Sequence, residues 1–240
     1  MKKPSLYTCL SPALLHLYDV RECIVVVIDV LRATSTIATA LHNGAKEIIP
    51  VDSVERCIQL GKNMACITAG ERDGQIAPGL QYGNSSFEYP REFIQGQILV
   101  LTTTNGTKLL HMALAKGATE IITGSFLNLS AVCDHLVAEG KNVILACAGW
   151  KDRVNMEDTL FAGAVVSRIR EHFDVNCDSA LAAETLYQSA KDDLFGFMKK
   201  ASHYQRLARY GLEEDIRFCL TPDGANVLPL LRNGELVKEK

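Results

Sequence analysis

The chain has 240 residues, 48% of them hydrophobic and 22% charged, with a formal net charge of -3. That length supports a full layered core, and the apolar fraction excludes a disordered chain. The slight acidic balance, without any basic run, argues against nucleic acid as a partner, and no apolar stretch reaches the ~20 residues of a membrane span.

Lys2 and Lys3 precede an apolar stretch from Leu6 to Leu17, but Pro4, Ser11, Pro12 and His16 interrupt it and no small-x-small cleavage site follows, so it does not read as a signal peptide. Ile24–Ile28 is continuously apolar and β-branched, the pattern of a strand buried on both faces. A helix is expected from about Thr34 to Asn43, with Ile37, Ala40 and Leu41 inward and Gly44 as its stop. Glu47–Val51 predicts a second strand, Ser53 to Lys62 a helix, and Cys66–Thr68 a short strand. Ala69 to Phe93 is expected to be a long polar connection, the kind of segment that carries function in a compact domain. Ile98–Leu101, Glu120–Thr123 and Asn142–Ala146 predict further strands, each followed by a helical pattern. The clearest helix has Leu129, Val132, Cys133, Leu136 and Val137 on one face. Beyond Asp178 helical patterns dominate to Tyr210, with short strands expected at Arg217–Leu220 and Val227–Leu231.

This alternation predicts an α/β fold, a three-layer α/β/α arrangement on a largely parallel or mixed sheet. No linker separates the part after about residue 178, so residues 1–240 are expected to form one domain. The eight cysteines make no C-x-x-C pair, which argues against a zinc knuckle and suits a reducing, cytoplasmic setting.

Polar residues concentrate where predicted strands end, the place where open parallel sheets bind ligands. Asp29 and Arg32 follow the first strand, either as a structural ion pair or as part of an anion or metal site. Glu71 and Arg72 lie in AGERDG, and Asn84 in GLQYGNSS. Thr103, Thr104, Asn105 and Gly106 form a hydroxyl-rich start to a helix, suited to phosphate or sulfonate. Ser125 and Asn128 flank another helix start, where capping competes with ligand contact. Glu157 and Asp158 open a helix; the helix dipole alone favours acids there, while together with Asp29 they would be hard oxygen ligands for Mg²⁺. His203 stands alone and reads as structural. The chain lacks a Walker A loop, a G-x-S-x-G elbow and a D-x-D nucleophile.

The ordered set VIDVLRATST, AGER, YGNS, LTTTNGT, GSFLN and EDTLFAGA, from Ile24 to Ala164, resembles the ComB family of 2-phosphosulfolactate phosphatases. A weaker echo continues through Ser202-His203 and Gly211 to Cys219. The resemblance implies an α/β/α fold of its own and Mg²⁺-dependent hydrolysis of 2-phospho-3-sulfolactate to 3-sulfolactate and phosphate, a step of coenzyme M biosynthesis in methanogens. A substrate with about four negative charges needs arginines and helix N-termini, so Arg32 and Arg72 are the expected anion clamps. Asp29, Glu157 and Asp158 are the expected Mg²⁺ ligands, with Asp29 alternatively a nucleophile and Glu71 a general base or further ligand. Asn84, Thr103, Thr104, Asn105, Gly106, Ser125 and Asn128 are expected to bind anionic oxygens. Two other functions fit the same residues: a phosphatase for another small phosphorylated acid, and a non-catalytic binder of anionic metabolites. The expected partner is a small anionic substrate, and a homo-oligomer is a common state for an α/β enzyme of this size.

Overall fold

The computed structural model describes residues 3–239. Ten strands form its sheet: β1 (Leu6–Cys9), β2 (Cys23–Ile28), β3 (Glu47–Val51), β4 (Ile67–Arg72), β5 (Gln75–Ile76), β6 (Ile98–Thr102), β7 (Glu120–Gly124), β8 (Asn142–Cys147), β9 (Pro229–Arg232) and β10 (Glu235–Lys238). The helices are α1 (Ala33–His42), α2 (Val54–Asn63), α3 (Arg91–Ile94), α4 (Gly106–Ala115), α5 (Leu129–Glu139), α6 (Met156–Ile169), α7 (Asp178–Ala190), α8 (Leu194–Met198), α9 (Ser202–Ala208) and α10 (Glu213–Cys219).

The sheet order is β1-β8-β2-β7-β9-β10-β3-β6-β4-β5. The strands β1, β8, β2 and β7 are mutually parallel, as are β3, β6 and β4. The hairpin β9–β10 sits between the two sets and pairs antiparallel with β7 and with β3, through Leu230–Ile122 and Leu236–Ile48. Three antiparallel steps in succession reverse the sense of the second set along the pairing order. The loops after β2 and β6 nonetheless come together, because Gly106 lies against Asp29.

The continuous apolar run of β2 is explained by two cores. Ile24, Val26 and Ile28 pack with α5, α6 and α7, through residues such as Val132, Leu160, Phe161 and Ala183. Val25 and Val27 face the other way, with Ile37 and Leu41 of α1 and Leu109 and Leu110 of α4. Alternate residues of a strand point to opposite faces, so a strand covered on both sides must be apolar throughout. The two cores make the three-layer α/β/α arrangement expected from the sequence. Gly163 of α6 lets α7 pass close by; a Cβ there would strike the carbonyl oxygen of Ala183.

Two local expectations are corrected, and two further strands that were not predicted are added. The segment AGER belongs to strand β4, which runs on to Arg72, and the rest of the expected connection carries the short strand β5 and the start of α3. Arg217 to Cys219 lie in α10, whose first turn holds Glu213, Glu214 and Asp215, acids that the helix dipole favours. The edge strand β1 was concealed by its shortness and the prolines around it. The hairpin strand β10 follows Asn233-Gly234, both at positive φ, an Asn-Gly turn of the kind that joins paired strands. No helix among the described residues is long and apolar enough to cross a membrane, and the cysteines are free thiols.

Candidate active site

The chain leaves β2 at Asp29 and turns at once into α1. Asp29 organises that turn. Its N–H donates to Thr34 Oγ1 (3.1 Å), its carbonyl accepts from Thr34 N (2.9 Å) and its Oδ1 accepts from Ala33 N (3.4 Å). Thr34, Ser35 and Thr36 at the start of α1 supply no side-chain cap; the carboxylate of Asp29 meets the first helical N–H instead. The Leu31–Arg32 peptide within this turn is cis. Burial pushes the Asp29 carboxyl up to about 7, and the neighbouring Glu71 carboxylate adds to the rise.

Two other elements converge on Asp29. From β6, Thr103 and Thr107 close the start of α4: Thr107 N donates to Thr103 Oγ1 and Thr107 Oγ1 to Thr103 O. This brings the N-terminus of α4 onto Asp29, and a Cβ at Gly106 would stand 2.7 Å from Asp29 Oδ2. From β4, Glu71 spans the gap, with Oε1 accepting from Thr104 N (2.8 Å) and Oε2 from Gly74 N (3.0 Å). Lys151 N donates to Asn105 Oδ1 (3.2 Å), tying the loop after β8 to the same place.

A cavity of about 440 Å³ opens in front of these groups. Asp29, Arg32, Glu71, Asn84, Thr104 and Asn105 line one part of it. Trp150, His203, Arg206, Arg209 and Tyr210 line the rest, so α9 and the chain after it cover the strand ends. Arg32 is buried and held by Asp215 of α10 (Nη1–Oδ1 2.9 Å) and by the Gly74 carbonyl (3.3 Å). The amide oxygen of Asn84 and the hydroxyl of Thr104 are buried without a hydrogen-bond partner. Buried polar atoms are normally satisfied, so unpaired ones lining a cavity point to a polar ligand.

Glu157 and Asp158 are both fully buried at the start of α6, whose N-cap is Asn155. They do different things. Asp158 Oδ1 accepts from Val30 N (2.9 Å), and Oδ2 from Gly149 N (3.0 Å) and Asn155 Nδ2 (2.9 Å). It therefore clamps the turn after β2 to the loop after β8. Burial drives its carboxyl well above the carboxylate range, with Glu157 and then Asp29 adding to the rise. Glu157 Oε1 accepts from His203 Nδ1, while its Oε2 is buried with no partner.

The sequence-predicted set thus divides. Asp29, Arg32, Glu71, Asn84, Thr104 and Asn105 meet at the cavity, with Gly106 immediately behind. Arg72 turns away: its guanidinium donates to Glu71 O (2.6 Å) and Thr102 Oγ1 (3.1 Å), and it lines a separate groove with Thr103. Ser125 and Asn128 are sealed in the interior. Asn128 Oδ1 accepts from Ser125 N (2.9 Å), and Asn128 Nδ2 donates to the carbonyls of Thr123 (3.2 Å) and Val227 (3.1 Å). These two residues fasten the end of β7 to the chain entering β9. The cavity residues that sequence reasoning missed are His203, Arg206, Arg209, Trp150 and Tyr210. Only the Ser202-His203 echo signalled any of them.

Among the described residues, no three His, Cys, Asp or Glu side chains converge as a closed metal cage. Mg²⁺ does not need one, since it keeps several waters and takes one or two carboxylates with substrate phosphate. Asp29 at the cavity and the orphaned Oε2 of Glu157 are oxygen donors of that kind, whereas Asp158 has both oxygens engaged by N–H groups.

The sequence profile of the 2-phosphosulpholactate phosphatase family matches residues 9–234. A probable 2-phosphosulfolactate phosphatase of Caldanaerobacter subterraneus subsp. tengcongensis is 41% identical over 220 residues, 90% of each chain. Proteins given the same name are 44% identical over 212 residues in Thermotoga petrophila (88% of this chain, 90% of that protein) and 39% over 211 residues in Synechocystis sp. (85% and 87%).

Proposed function

The chain belongs to the 2-phosphosulfolactate phosphatase family, a family of phosphoric monoester hydrolases, and on that premise we propose that its cavity hydrolyses 2-phospho-3-sulfolactate to 3-sulfolactate and phosphate. The observation that carries this is the meeting of Asp29 with the N-terminus of α4 at a cavity that also holds Arg32, Arg206 and Arg209. An anionic phosphoryl group suits the N–H groups and partial positive charge of a helix start, and the cations suit a substrate with further negative groups.

In this arrangement the phosphoryl oxygens lie against Thr104, Asn105 and the start of α4, facing Asp29. The unpaired hydroxyl of Thr104 donates to them. Arg32, fixed by Asp215 and Gly74, presents its remaining N–H donors to the carboxylate of the substrate. Glu71 holds the Thr104 loop and the Asp73-Gly74 turn in register, so its first task is positioning. Asp158 does the same for the turn that carries Asp29. Mg²⁺, held by Asp29 with Glu157 behind it, would neutralise charge on the transferring phosphoryl group. Holding reactants in place and stabilising developing charge are the two terms that phosphoryl transfer depends on.

A substrate panel tests this function. Phosphate release should be faster from 2-phospho-3-sulfolactate than from 2-phospholactate or 3-phosphoglycerate, and should require Mg²⁺. Equal rates across the panel would favour a general phosphatase of small acids. Tight binding without phosphate release would favour a non-catalytic binder.

A further inference from the structure

The wall of the cavity contributed by α9 holds an arginine to which the arrangement above gives no specific contact. Arg206 is half-buried and lies over the indole ring of Trp150, with its guanidinium carbon 3.9 Å from the ring centroid. Both residues line the cavity. Arg32, by contrast, is anchored by a carboxylate at 2.9 Å. Among the described residues, Arg206 has no such ion pair. Burial pushes its pKa down, opposed only in part by Glu157, whose Oε1 is engaged by His203. A partly buried cation with no carboxylate in contact keeps its donors available to an anionic ligand.

We propose that Arg206, stacked on Trp150, is the specificity-determining contact for the sulfonate of the substrate. The proposal rests on the function assigned above. In 2-phospho-3-sulfolactate the carboxylate is attached to the carbon that bears phosphate, while the sulfonate is one methylene further out. With phosphate at the start of α4 and the carboxylate at Arg32, the outermost anion extends towards α9. The chemistry of the pair fits that anion. A sulfonate spreads its charge over three oxygens, and a guanidinium is weakly hydrated, offers a planar fork of donors and stacks on aromatic faces. Trp150 holds the fork in one orientation and keeps water from one of its faces.

The test compares Arg206→Gln, Arg206→Lys and Trp150→Phe with the wild type on two substrates, 2-phospho-3-sulfolactate and 2-phospholactate, which lacks the sulfonate. Arg206→Gln should lower the ratio of kcat/KM values, sulfonated over unsulfonated, at least about tenfold, with the loss falling on KM. Arg206→Lys should recover part of that ratio, because it keeps charge but not the stacked fork. Trp150→Phe should lower it less than Arg206→Gln. Inhibition by 3-sulfolactate should weaken in Arg206→Gln more than inhibition by inorganic phosphate. Equal losses on both substrates, or no loss on either, would overturn the sulfonate contact while leaving the phosphatase function standing. A wild type that shows no preference for the sulfonated substrate would overturn both the sulfonate contact and the assignment of 2-phospho-3-sulfolactate as the substrate.

Discussion

Asp29 and Gly106 lie in contact across the junction of β2 and α4, with room for a hydrogen but not a methyl group between them. A Cβ at position 106 would meet Asp29 Oδ2 at 2.7 Å and the Ala33 Cβ at 2.9 Å. Inside a helix, Gly→Ala ordinarily stabilises by roughly 0.5–1 kcal/mol. Here it would displace the carboxylate on which the site is built. Gly106→Ala is therefore expected to lower kcat by about 100-fold, the scale of a 1 Å misplacement. Steady-state kinetics beside a melting curve check this; a variant of wild-type kcat would show that the contact does not position Asp29.

Asp158 is expected to act through stability and alignment rather than by touching substrate. Removing it strands the N–H groups of Val30 and Gly149 in a buried place. Asp158→Ala should cost about 3 kcal/mol in urea unfolding, from the loss of several buried bonds to one group. A loss below about 1 kcal/mol, with Mg²⁺ affinity strongly reduced, would instead make Asp158 a metal ligand.

Asn128 and Ser125 offer a contrast with Asn84 and Thr104. The first pair has partners inside the protein, while the second has atoms without any. Asn128→Ala should destabilise by about 1–3 kcal/mol, through the carbonyls and N–H it leaves unpaired, and should barely change KM. Asn84→Ala should show the reverse balance. Unfolding curves and KM values for the two variants separate these outcomes.

Much of this division lay beyond the sequence. Strand ends announce themselves by polarity, so Asp29, Glu71, Thr104 and Asn105 were found, and the two-faced burial of β2 was legible in its unbroken apolar run. Direction was not legible. Glu71 and Arg72 are adjacent, but successive residues of β4 point to opposite faces, and only Glu71 reaches the cavity. Capping and ligand contact draw on the same residue types, which is why Ser125 and Asn128 looked like Thr104 and Asn105. His203 and Arg206 lie more than 170 residues from Asp29 in the chain, and nothing local marks them as its neighbours. The hairpin signal at Asn233-Gly234 was present but stood beside an equally plain Asn-Gly at residues 105–106 that starts a helix.

Asp29 is expected to make the metal-free protein sensitive to pH. Its carboxyl, pushed up to about 7 by burial and by Glu71, starts from about 3.9 in the unfolded chain. The folded state thus binds the proton more tightly. Stability from this group is complete below about pH 4 and is lost as pH rises through about 7. In EDTA, the melting temperature of the wild type should fall more between pH 5 and pH 8 than that of Asp29→Asn, which cannot ionise. Parallel curves for the two proteins would remove Asp29 as the source.

Phosphate release from 2-phospho-3-sulfolactate, measured with Mg²⁺ for the wild type and for Asp29→Asn under the same conditions, decides whether this cavity is the active site. The wild type should turn over, and the variant should be at least about 1,000-fold slower while remaining folded by circular dichroism. A folded Asp29→Asn protein with wild-type turnover would place the chemistry elsewhere.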